Sequence, residues 1–237
     1  MLRDRLRALL RGVTTGDSAV VSSFPAPAQA QQPGAPHSPE GVVYSRHSHG
    51  LEQFFGYIGD RRELSILDLA GASQANIAFI TALGHRLYTI DFFRTLSETF
   101  TREGGDVVDG QDRPDRIEEF LEQNLDFPEG SFDGVLVWDN LEYLSPALLK
   151  KCVDRFHRIL KPRCHLLAFF HADDKAQMVP AYAYRIADSK TLTLSPRGSR
   201  RPAQLFNNRS VERLFHQFHA MKFFLARDHL REVIVTR

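Results

Sequence analysis

The spacing of apolar residues changes along this chain, and the changes mark strands alternating with helices. Leu64 to Leu69 (LSILDL), Arg86 to Asp91 (RLYTID), Phe132 to Trp138 (FDGVLVW) and Cys164 to Phe170 (CHLLAFF) are short apolar runs that read as buried strands. Leu51 to Ile58, Ser73 to Leu83, Arg94 to Arg102, Asp115 to Gln123 and Pro146 to Leu160 read as helices. Gly84 stands where a helix C-terminus favours glycine, and Ser145-Pro146 supplies an N-cap followed by proline at the first helical position. A third strand falls around Asp106 to Val108, in polar surroundings. The last helix spans Val211 to His219, with Asn208 or Ser210 as its cap and Phe215 and Phe218 facing the core.

Strands alternating with helices of this length imply right-handed crossovers and a parallel sheet. The end of the chain breaks that rule. Met221 to Arg227 and Glu232 to Arg237 are both strand-like, and only the short stretch Asp228 to Arg231 separates them. No crossover helix fits in that gap, so the two runs must form an antiparallel hairpin.

The N-terminal 40 residues have a different character. In Met1 to Val13 (MLRDRLRALLRGV), leucines at helical spacing are interrupted by arginines, which predicts a basic amphipathic helix. Such a helix is either a short terminal element or a contact for a membrane surface or partner protein. Residues 14–40 are rich in Ser, Gly, Gln, Ala and Pro and read as a flexible linker, so the folded domain is expected over 41–237. Composition excludes several classes. Of 237 residues, 43% are apolar and 25% charged, with a net charge of +1, so nothing argues for a nucleic-acid partner. Two cysteines make no disulfide framework or zinc site and fit a reducing, cytoplasmic compartment. No apolar run reaches the roughly 20 residues that span a bilayer.

Four segments carry a family resemblance. They are Ile66-Leu67-Asp68-Leu69-Ala70-Gly71-Ala72-Ser73-Gln74, Gly84 to Asp91 (GHRLYTID), Leu125 to Leu144 (LDFPEGSFDGVLVWDNLEYL), and Leu160-Lys161-Pro162. In this order and at these intervals, over about Leu51 to Arg237, they resemble the class I S-adenosylmethionine-dependent methyltransferases. The resemblance implies a Rossmann-like, seven-stranded α/β sheet, mostly parallel, with a C-terminal antiparallel hairpin and helices on both faces. It also implies S-adenosylmethionine as cofactor and a small-molecule or protein acceptor. Asp68, Ala70, Gly71, Ala72, Gln74, Asp91, Phe92, Asp139 and Asn140 then fall at cofactor-binding positions, near the strand ends where open α/β sheets bind ligands. Asp91 would accept from the ribose hydroxyls, or else merely cap the next helix.

The chain departs from the family in its glycine loop, where Ala70, Ala72 and Gln74 occupy the three glycine places and the one glycine, Gly71, is shifted between them. Gln74 either substitutes a hydrogen bond or blocks the site. Arg163-Cys164 replaces two glycines after Lys161-Pro162. Methyl transfer needs positioning and, for some acceptors, a base. His171 and Glu142, after the fifth and fourth strands, are candidates for that base; a loop or capping role for His171 is the plainer alternative. Residues 172–206 form a long insert whose Ala181–Tyr184 and Thr191–Leu194 alternate like short strands. The insert is either a lid whose Arg197, Arg200 and Arg201 meet an anionic group, or a solvated loop. His47 and His49 form an H-x-H without a third ligand, and no metal is assigned. Two rival functions remain: a methyltransferase-fold binding protein without catalysis, suggested by the lost glycines, and a nicotinamide-dependent oxidoreductase, opposed by the absent G-x-G-x-x-G.

Overall fold

The computed structural model describes residues 42–100, 110–225 and 230–237. The expected terminal helix (1–13), the linker (14–40), the strand around Asp106 to Val108 and the turn of the C-terminal hairpin at 226–229 lie outside these residues.

A six-stranded sheet holds the centre, with β2 (Ser65–Asp68), β3 (Arg86–Thr89), β4 (Phe132–Trp138), β5 (Leu160–His171), β8 (Ala220–Leu225) and β9 (Leu230–Thr236) in the order β3-β2-β4-β5-β9-β8. The pairs β3–β2, β2–β4 and β4–β5 are parallel; β5–β9 and β9–β8 are antiparallel. The expected alternation and the terminal hairpin are therefore present, and the sheet has six strands among the described residues where seven were expected. All seven residues of β4 are buried, as a central strand covered on both faces requires. Its alternate side chains feed two cores: Val135 and Val137 pack on one face, Leu136 and Trp138 on the other.

Helices cover both faces. In α1 (His49–Ile58), Leu51, Phe54, Phe55 and Ile58 fall at positions i, i+3, i+4 and i+7 and are buried, and the Ser48 hydroxyl caps the helix by accepting from Leu51 N. The helix α2 spans Gln74–Ala82, and Gly84 at φ +81° turns the chain back into β3. Two more helices follow, α3 (Phe92–Phe100) and α4 (Pro114–Leu125). The expected cap holds at α5 (Pro146–Ile159), where Ser145 accepts from Leu148 N. At α6 (Asn208–Leu214) the cap is Asn207, which accepts from Ser210 N, and the expected Asn208 is instead the first helical residue.

The insert is more regular than its sequence suggested. Its strands β6 (Val179–Asp188) and β7 (Thr191–Arg200) pair antiparallel, and β1 (Tyr44–His47) adds to the outer edge, giving a sheet of order β1-β7-β6. Two side chains tie this sheet to the main body. Asn76 of α2 accepts from Ile186 N at 2.8 Å. Glu232 of β9, fully buried, accepts from the Arg46 guanidinium, from Ser48 Oγ at 3.0 Å and from Gly50 N.

Candidate functional site

The strands β2, β3 and β4 all end on one edge, and a cavity of about 240 Å³ opens there. Ala70, Asp91, Asp139 and Asn140, all named from the sequence, line it. So do Phe93, Trp138, and Tyr182, Tyr184, Arg197 and Arg200 from the β6–β7 hairpin.

Asp68 lies beneath the cavity and is fully buried. It accepts from Ala70 N at 3.0 Å, Trp138 Nε1 at 2.6 Å and Asn76 Nδ2 at 2.7 Å. Burial pushes its carboxyl up, and these donors pull against that rise. Its task is to hold the end of β2, the start of α2 and the end of β4 together. Trp138 pays for its position with φ 59°, a left-handed conformation that costs about 1–2 kcal/mol in a side-chain-bearing residue. The indole bond to Asp68 and a parallel stack on Tyr184, with centroids 5.1 Å apart, hold it there. Strain of this kind concentrates at functional sites.

The altered glycine loop folds without difficulty. Among Ala70, Gly71, Ala72 and Gln74, positive φ occurs only at Gly71, at +82°. There an added Cβ would come within 3.2 Å of the Asp91 side chain. The shifted glycine therefore sits where the backbone requires one, and the loop packs directly on Asp91 through the Ala70–Asp91 bridge. Ala72 and Gln74 are exposed and do not line the cavity, so Gln74 does not block it. Asp91 accepts from Arg94 N at 3.2 Å, so it caps α3 while its half-exposed carboxylate faces the cavity. Phe92 is fully buried in the core; its neighbour Phe93 is the lining residue.

Asp139 is a strongly perturbed carboxyl in the cavity wall. Burial raises its carboxyl to about 6, with the nearby His171 charge opposing and Glu142 adding to the rise. Its Oδ2 and the Tyr184 hydroxyl next to it are buried without a hydrogen bond of normal geometry. Buried polar atoms are seldom left this way unless a ligand or water completes them. Asn140 donates to Leu69 O and Val137 O and so braces the loop after β4. Arg200 lies 3.5 Å over the Phe93 ring, and Arg197 completes that side of the wall; Arg201 does not line the cavity.

His171 and Glu142 are brought together but not to the cavity. Both are buried, with His171 Nδ1 2.5 Å from Glu142 Oε2 and His171 N donating to Glu142 Oε1 at 2.8 Å. Burial alone would lower the imidazole; the bond to Glu142 and its charge outweigh that and hold it above its ordinary value. Reasoning from the sequence did not place Trp138, Tyr182 or Tyr184 in the cavity wall. The alternation in AYAY marked the last two as strand residues, and two positions apart they share one face.

A mostly parallel sheet with antiparallel strands at its C-terminal end and helices on both faces is consistent with a methyltransferase fold. Residues 67–168 match the family model described as a methyltransferase domain. No curated protein matches the sequence. Among solved structures, the chain is similar to a 1,6-didemethyltoxoflavin-N1-methyltransferase from Burkholderia thailandensis, with bound 1,6-didemethyltoxoflavin and S-adenosylhomocysteine. Identity is 15%, coverage 79% of this chain and 75% of that one, and the TM-score 0.41. A methyltransferase from Methanosarcina mazei gives 13%, 75% and 93%, and 0.43. A TehB-like methyltransferase from Corynebacterium glutamicum gives 10%, 79% and 87%, and 0.41.

S-adenosylmethionine is the cofactor that the family match implies. The buried Asp139 oxygen without a hydrogen-bond partner and the cavity-facing Asp91 carboxylate suit a polar ligand of that kind.

Proposed function

We propose that this chain is an S-adenosylmethionine-dependent methyltransferase acting on a small acceptor that bears an O–H or N–H and an anionic group. The observation that carries this reading is the convergence of Asp91 and the buried Asp139, whose carboxyl is raised to about 6, on one cavity walled by arginines of the insert. S-adenosylmethionine supplies an electrophilic methyl group. The remaining tasks fall to the chain. Asp91 accepts hydrogen bonds from the ribose hydroxyls. Arg197 and Arg200 hold the acceptor's anionic group. Phe93, Trp138, Tyr182 and Tyr184 exclude water. The Asp139 carboxylate would take the proton that the acceptor's O–H or N–H gives up on methylation. A carboxyl titrating near neutrality suits that role. The β6–β7 hairpin acts as a fixed wall, since Asn76 sews it to α2. Both cysteines are buried free thiols, which supports action in the reducing cytoplasm.

The competing reading is a methyltransferase-fold binding module without catalysis. Calorimetric titration with S-adenosylmethionine and S-adenosylhomocysteine separates the two. Micromolar binding that Asp91→Asn weakens at least tenfold is expected, because asparagine keeps the helix cap but loses the charge (tenfold is about 1.4 kcal/mol). A folded protein that binds neither compound at about 1 mM refutes the enzymatic reading.

A further inference from the structure

We propose that His47, His49 and Glu52 form a surface site for a divalent transition-metal ion, zinc being the simplest candidate. The H-x-H pair alone is a poor metal argument, because two ligands on an otherwise ordinary loop define no cage. The fold supplies the third ligand. Glu52 lies one turn into α1, and its Oε2 is 3.1 Å from His47 Nε2 and 3.8 Å from His49 Nδ1. The two ring nitrogens are 3.1 Å apart. Three ligands bound at the usual zinc distances in a tetrahedron are separated by about 3.3 Å. The three observed separations straddle that value, so one ion fits between the atoms with only small side-chain shifts.

The chemistry of the set agrees. Two imidazole nitrogens and a carboxylate oxygen place three potential lone-pair donors together. A cation satisfies all three. Two imidazoles with one carboxylate suit zinc, cobalt, nickel or copper, whereas magnesium and calcium favour an all-oxygen shell. The fourth position faces solvent, since all three side chains are exposed.

The backbone beneath the site is held firmly. Ser48, between the histidines, is fully buried. Its N–H donates to Lys190 O at 2.8 Å, and its hydroxyl accepts from Leu51 N at 3.1 Å and donates to Glu232 Oε2 at 3.0 Å. His47 also pairs with Thr191 in the β1–β7 ladder. Ligands fixed by buried supports lose little freedom on binding an ion, which is what separates a site from a chance cluster. A bound ion would clip the end of β1, and with it the three-stranded sheet, to the first turn of α1. None of these three residues lines the cavity, so the site stands or falls independently of the methyltransferase reading.

The test is titration of the full chain, freed of any affinity tag, with zinc chloride by calorimetry and with cobalt(II) by visible absorption. One equivalent of zinc should bind, cobalt should show the d–d bands of a low-coordinate ion, and magnesium should give no heat. His49→Ala and Glu52→Gln should each weaken zinc binding at least tenfold, about 1.4 kcal/mol, while circular dichroism stays unchanged. Zinc should also raise the melting temperature of the wild type and not of His49→Ala. The proposal is overturned if the wild type takes up no zinc at about 1 mM. It is equally overturned if both variants bind zinc as the wild type does, since the ion then sits elsewhere.

Discussion

Asp139 offers a direct way to test the reading of the cavity. Its carboxyl is held at about 6 in the fold against 3.8 when free, because burial disfavours the charged form. Each tenfold change in proton affinity corresponds to 1.36 kcal/mol, so keeping Asp139 ionised costs the folded state about 3 kcal/mol. The sign follows from proton uptake. Between about pH 4 and 6 the folded protein holds this proton and the unfolded chain does not. The contribution to stability is therefore fully present below about 3.8 and is lost as pH rises through about 6. Asp139→Asn removes the charge with little change of shape. At pH 8 the variant should be more stable than the wild type by as much as about 3 kcal/mol. At pH 5 that difference should fall to about half, because the folded wild type is then largely protonated while the unfolded chain is still ionised, and it should vanish only below about pH 3.8. Urea unfolding followed by circular dichroism at the two pH values measures it. A variant less stable than the wild type, or a difference that does not change with pH, would mean that Asp139 already has its counter-charge in the fold, and the orphaned-carboxylate argument would fail. If Asp139 takes the acceptor's proton, the same variant loses turnover while gaining stability, the usual exchange at an active site.

Other substitutions probe the frame around the cavity. Glu232→Ala removes the carboxylate that pairs with the buried Arg46 guanidinium and the junction between β1, α1 and β9, so it should cost about 3–5 kcal/mol in chemical denaturation; a loss under about 1 kcal/mol would show that the ion pair is solvated. Gly134→Ala drives a methyl group to 2.5 Å from Phe54 Cζ and 3.0 Å from Ile66 Cδ1, and should destabilise the sheet by about 1–3 kcal/mol, read as a lower denaturation midpoint. Gly71→Ala meets both positive φ and the Asp91 side chain; a loss of about 1–2 kcal/mol is expected, together with weaker S-adenosylhomocysteine binding by calorimetry. Unchanged stability there would show that the loop relaxes away from Asp91.

Local pattern alone determined most of the fold. The apolar run of β4, the Ser145-Pro146 start of α5 and the short gap before β9 are signals within a few residues of chain, and each led to the element observed. The positions of Asp91 and Asp139 at strand ends were legible for the same reason, since a strand's end and the loop after it are consecutive in sequence. Tertiary structure decided the rest, where the deciding contacts join distant segments. The chain gives no local sign that Trp138 would reach back 70 positions to Asp68, or that Asn76 would bond β6 across 110. The pairing of β1 with β7 brings together residues about 150 positions apart, so the sequence around Tyr44 could not announce it. The glycine loop shows the same limit. Its alanines looked like damage in the sequence, but which residue needs positive φ is set by how the loop crosses Asp91, and that crossing exists only in the folded chain.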